Sequence, residues 1–155
     1  MNRLKTSVLS FVVLFSSLLA SAQKSEAPLN EPDYNKPKLF AHLPSKFAIS
    51  IPALETMLNM AEGRTINAPI TTNFRFQGQV VSTSNPADTT VKSVVIKSSN
   101  LPGATFTFTR LLNTDGTFDY IGRIISFNNS DAFELVKEGS KYSLEKKHLY
   151  DLFNE

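Results

Sequence analysis

Two carboxylates, Asp119 and Glu134, are the residues of this sequence best spaced for acid–base work. On the same face of neighbouring strands, with Arg123 nearby, they would form the pair a carboxylate-dependent hydrolase needs, one carboxyl as acid and the other as base or nucleophile. A plainer reading competes. Acids and an arginine on a sheet surface commonly make ion pairs of small energetic weight. The hydrolase reading requires the two carboxylates to converge in a pocket.

The rest of the catalytic vocabulary is sparse. The histidines, His42 and His148, are far apart, and neither has a second ligand at helical or hairpin spacing. With no cysteine in the chain, a zinc site would have to be built from carboxylates. Serine and threonine are frequent, but a hydroxyl nucleophile needs a base within reach. No G-x-S-x-G, phosphate loop, dinucleotide fingerprint or H-E-x-x-H occurs. Asn113-x-Asp115-Gly116 resembles part of a calcium loop, yet the acids that motif needs fall at Leu111 and Gly122. These observations predict no catalytic residue, no cofactor and no metal.

Arg110 is the remaining chemical candidate. It interrupts an otherwise apolar set of residues opposite Tyr120. Either it lies over an aromatic ring with its guanidinium in water, or it anchors a ligand anion at the rim of the core. Asn128-Asn129-Ser130 fits the glycosylation triplet, but a turn explains those residues equally well.

The elements that must hold these residues are mostly strands. Apolar alternation and turn residues place strands over 73–82, 91–98, 104–112, 117–127, 132–138 and 141–146, with Gly78 a candidate bulge. Asn113–Gly116 suits a type I turn closed by a left-handed glycine, and it sets Leu112 opposite Phe118 and Arg110 opposite Tyr120. Asn128–Asp131 reads as a four-residue connection, setting Ser126 opposite Phe133 and Ile124 opposite Leu135. Gly139-Ser140 suits a two-residue hairpin, setting Leu135 opposite Leu144 and Lys137 opposite Tyr142. The three turns agree on one apolar face: Phe106, Phe108, Leu112, Phe118, Tyr120, Ile124, Phe133, Leu135, Tyr142 and Leu144. A one-residue slip at any turn would scatter that set.

The opposite face is mixed. Ile121, Arg123, Ile125 and Phe127 lie on it, among threonines and the two acids, and form the candidate partner surface. One helix is expected from about Pro52 to Glu62. Ile51, Leu54, Met57, Leu58 and Ala61 fall on one side of it, Pro52 sits in its first turn, and Gly63 stops it. That helix is expected to cover part of the mixed face. Leu149, Leu152 and Phe153 suggest a closing helical turn. The fold class is therefore α+β, mainly β: a curled antiparallel sheet or small open barrel of about six strands in meander order, with one N-terminal helix packed on it.

Upstream, Arg3 and Lys5 precede an apolar run from Val8 to Leu19 that ends in Ala20-Ser21-Ala22, the pattern of a secretory signal cleaved between Ala22 and Gln23. The run is about 12 residues, short of the roughly 20 that span a bilayer, so no membrane span is expected after cleavage. Residues 1–22 are read as signal peptide, 23–46 as a Pro-rich linker, disordered in its first part, and 47–155 as one globular domain. Leu39, Phe40 and Leu43 are expected to lay the end of the linker on the domain.

Cleavage changes the charge argument. The whole chain has 16 basic and 14 acidic residues, and the signal removes Arg3 and Lys5 but no acid, which leaves 14 of each. A neutral domain gives no ground for nucleic-acid binding. The sequence thus predicts an exported protein, periplasmic or secreted, that is not an enzyme and binds a protein, a peptide or a cell-envelope component. The alternatives are a small-molecule carrier with an apolar cavity lined by Phe106, Phe108 and Tyr120, or the carboxylate-dependent hydrolase.

Overall fold

Among the described residues, seven strands follow one another as an antiparallel meander, and an eighth closes onto the far end. The computed structural model describes residues 35–71 and 74–153, so the expected signal peptide and the first part of the linker lie outside the described residues. The strands are β1 (Lys46–Ala48), β2 (Thr65–Pro69), β3 (Arg75–Thr83), β4 (Val91–Ser98), β5 (Thr105–Leu112), β6 (Phe118–Ile125), β7 (Asp131–Glu138) and β8 (Lys141–His148). They form one sheet in the order β1-β8-β7-β6-β5-β4-β3-β2. Six of them correspond to the expected strands. The two additions are edge strands with little apolar signal. β1 has three residues, and β2 carries only Ile66 as a large apolar side chain and ends on Pro69, a residue tolerated at sheet edges.

The sheet curls into a half-barrel. The Phe47 ring, on edge strand β1, meets Phe74, which precedes β3, at 6.1 Å. Side chains from opposite ends of the strand order therefore close over the concave face. That face is the core. Phe76, Phe106, Phe108, Phe133, Ile96, Ile124 and Leu144 are fully buried on it. Alternation along β3, β5 and β6 sends their neighbours outward, as a two-faced antiparallel sheet requires.

Two turns set the expected registers. Gly116 takes φ +83°, its N–H reaches the Asn113 carbonyl at 3.0 Å, and Leu112 pairs with Phe118, Arg110 with Tyr120. Gly139 takes φ +60° while Ser140 after it does not, the signature of a type II′ hairpin, and among the described residues no non-glycine residue has positive φ; Leu135 pairs with Leu144 and Lys137 with Tyr142. The middle connection differs. Ile124 faces Phe133, not Leu135, and Arg123 faces Glu134, a shift of two residues. The Asn128–Asp131 stretch is not a free four-residue turn, because its groups bind other parts of the chain. Ser126 Oγ contacts Asn129 Oδ1 at 2.7 Å, and the Ser130 N–H donates to the Pro37 carbonyl at 3.1 Å. An even shift preserves which face each side chain occupies, so the apolar set survives the wrong pairing.

The bulge in β3 falls at Val81, between the pairs Val80–Ile96 and Ser82–Val95, and not at Gly78. Gly78 has another task. A Cβ there would overlap the Lys97 carbonyl, so only glycine lets β3 and β4 approach this closely.

Helix α1 is shorter than expected, Ile51–Glu55, and tightens into a 3-10 turn over Thr56–Asn59. The Ser50 side chain makes no cap bond, and Met60 turns extended, which brings the Gly63 N–H to the Val80 carbonyl at 2.8 Å. Gly63 thus serves the turn into β2 and does not cap the helix. Leu54, Met57 and Leu58 are buried with the aromatic rings of the concave face. The expectation that this helix covers the mixed face is therefore overturned: the open concave side holds the larger apolar surface and takes it.

The chain ahead of β1 joins the same packing. Phe40 is fully buried against Phe133, with ring centroids 4.8 Å apart. The buried Asp131 carboxylate accepts the Leu39 and Phe40 N–H groups at 2.6 and 3.0 Å, and Lys146 Nζ donates to the Phe40 and Leu43 carbonyls at 2.6 and 2.7 Å. A proline-rich segment with no ladder partners needs such side-chain bonds to satisfy its backbone.

Candidate functional site

The convex face of β3–β7 is where the predicted partner surface falls, and the structure divides its four residues. Arg123 and Ile125 are used internally. Ile125 packs with Ala132, Leu149 and Leu152, the last two from the C-terminal 3-10 turn, Leu149–Phe153. Arg123 donates to Glu134 Oε1 from Nε and Nη2 at 3.1 and 2.9 Å, and Nη1 reaches the Leu152 carbonyl at 3.4 Å. The cover of the mixed face is thus partly the C-terminal turn. Ile121 and Phe127 stay open, 51% and 64% exposed. Phe127 stacks on Phe153 at 6.1 Å, and Phe153 is itself 57% exposed. Lys36 Nζ closes on the Phe127 carbonyl at 3.0 Å.

The two acids stand in separate ion pairs. Glu134 belongs to Arg123. Asp119 belongs to Lys137 and also accepts from Asn113 Nδ2 at 3.1 Å. The Lys137 bond, then the Asn113 bond, holds the Asp119 carboxyl below the ordinary aspartate range, and the Lys137 ammonium is raised in turn. A carboxylate held ionised in this way is a poor proton donor. Asp115 is likewise committed to its own turn. Its Oδ1 accepts the Thr117 N–H and hydroxyl at 2.9 and 2.6 Å, and these bonds lower its carboxyl.

Arg110 is occupied too. Its guanidinium lies 4.3 Å from the Phe118 ring centre, and Nη1 meets Glu55 Oε1 at 3.3 Å. The same Glu55 oxygen accepts the Tyr120 hydroxyl at 2.7 Å. Burial first, and the Glu55 bond second, push the Tyr120 phenol up to about 12. An anion at Arg110 would have to share the guanidinium with Glu55. The rings expected to line an apolar cavity pack on one another instead, Phe106 to Phe108 at 6.2 Å and Phe108 to Tyr120 at 5.8 Å.

His42 and His148 are both exposed, and among the described residues no three His, Asp or Glu side chains gather where a metal ion could be held. A cleft of about 330 Å³ lies between the 3-10 turn after α1 and the β3–β4 connection, with Leu58, Met60, Glu62, Ser84, Pro86 and Lys92 among its walls. Sequence reasoning missed it. The only signal would have been the β4–β5 register, which sets Lys92 directly opposite Arg110. It also missed Phe153 as the neighbour of Phe127, since nothing in the pattern joins a C-terminal turn to the end of β6.

No known protein family, no curated protein and no solved structure matches the chain.

Proposed function

We propose that this protein is an exported, non-enzymatic domain that binds a protein, peptide or cell-envelope component through the convex face of its sheet. The observation that carries the reading is the exposure of Ile121 and Phe127 on a face where the nearby charges are paired with each other. Single exposed apolar residues are ordinary. Here Val81 and Val91 are exposed on strands of the same sheet, and the Phe127–Phe153 stack borders it, so the apolar surface is distributed over much of one face. Paired charges leave that face without a strong field, which suits an uncharged or apolar partner surface. The involvement of Asp119 and Glu134 in separate ion pairs supports a binding role over hydrolysis.

The test is a double variant, Ile121→Lys and Phe127→Lys, compared with wild type on solubilised envelope from the native cell. The melting temperature is expected to stay within a few degrees, because both side chains are already in water. Retention of the co-purifying component is expected to be lost. A folded double variant that retains the same component would overturn the reading.

A further inference from the structure

We propose that the cleft between the 3-10 turn after α1 and the β3–β4 connection is a binding site for a small organic monocarboxylate with an apolar tail, the carboxylate resting on Lys92. Its volume, about 330 Å³, is at the lower end of the range that holds small ligands. Leu58, Met60 and Pro86 supply apolar wall for a tail.

The cation is the decisive feature. Lys92 stands opposite Arg110 in the β4–β5 ladder, and like charges in that position disfavour each other. Arg110 is relieved by Glu55. Lys92 is not: it makes no ion pair with any described residue. A partly buried lysine with a like-charged neighbour and no ion-pair partner is complemented by an anion placed in the cleft it lines. Ser84 adds a donor. Its Oγ accepts the Ser93 N–H at 3.0 Å, which leaves its own O–H to give.

Glu62 sets the limit on charge. It also lines the cleft, with Oε1 accepting the Thr83 N–H at 3.3 Å. A second negative charge on the ligand would add repulsion from this carboxylate, so a monoanion is favoured over a dianion such as sulfate. The site is separate from the convex-face surface and stands or falls independently of it.

The experiment is an NMR titration of the ¹⁵N-labelled protein with sodium hexanoate at constant ionic strength, run beside sodium sulfate. Hexanoate is expected to give saturable shifts concentrated at residues 58–62, 83–86 and 92, and sulfate is not. Lys92→Met is expected to weaken hexanoate at least ~10-fold, as loss of a charge-assisted bond does, whereas Lys92→Arg and the distant Lys97→Met stay within about threefold of wild type on the same scale. Glu62→Gln, which leaves the cation in place, is expected to tighten it. Absence of saturable shifts, equal saturation by sulfate, undiminished binding by folded Lys92→Met, or weaker binding by Glu62→Gln would each overturn the proposal.

Discussion

The two faces of the sheet share every strand and differ in almost everything else. The concave face carries rings that touch one another, Phe76 to Phe106 at 5.5 Å and Phe40 to Phe133 at 4.8 Å, with α1 and residues 37–43 laid over it. The convex face carries threonines, paired charges such as Arg123 with Glu134 and Lys46 with Glu145, and side chains left in water. Strand alternation produces both from one sequence, since each residue that faces in forces its neighbours out. The difference teaches where free energy is concentrated. Without a cysteine to staple it, the domain depends on the concave packing, and the convex face is under less packing constraint.

The sharpest way to break that comparison is to change adjacent residues of β5. Phe106→Ala is expected to lower unfolding free energy by about 3–5 kcal/mol, the cost of emptying a filled aromatic site. Thr107→Ala, one residue along and outward, is expected to change it by less than about 0.5 kcal/mol. Urea denaturation of both variants decides it, and comparable losses would mean that the convex face is also structural.

A smaller effect is expected where the upstream segment is fastened to the concave side. Asp131→Ala removes the acceptor of two N–H groups, a part-buried one at Leu39 and a buried one at Phe40. Leaving such donors unmatched costs about 1–3 kcal/mol. Hydrogen exchange should show the Leu39 and Phe40 amides losing protection ahead of those of β5. If they exchange together with β5, the segment is an inseparable part of the core and not a layer added to it.

These contrasts also show what the sequence could and could not reveal. The concave set was legible because alternation has a period of two and two glycine turns fix their own registers. The β6–β7 pairing was not, because its connection is shaped by Pro37, some 90 residues away, and turn chemistry is local. The helix position failed for a related reason. An amphipathic stretch announces which side it buries but not which face of the sheet receives it. The candidate surface was half legible. Alternation identified Ile121, Arg123, Ile125 and Phe127 as outward, whereas the partial burial of Ile125 and the binding of Arg123 depend on a C-terminal turn that periodicity cannot place. The cleft at Lys92 was invisible because its walls come from a 3-10 turn and a loop, neither of which has a period to read.

The finest version of the comparison lies in two consecutive residues. Asp119 faces out and is held ionised by Lys137; Tyr120 faces in and is held protonated, with a phenol pushed up to about 12 by burial and by its bond to Glu55. Their linkage to folding has opposite sign. Asp119, lowered in the folded state, contributes stability above the ordinary aspartate range, and that contribution fades as pH falls through its folded value. Tyr120, raised from 10.0, contributes stability in full below about pH 10 and loses it as pH rises toward 12. Ultraviolet titration of the tyrosines should therefore show one phenol ionising some two units late, together with the onset of alkaline unfolding. In Glu55→Gln that phenol is expected to titrate earlier but still above 10, since burial is the larger cause. A return to about 10 would make Glu55 the chief cause and move Tyr120 out of the buried face, while no change at all would show that the Glu55 bond does not form in solution.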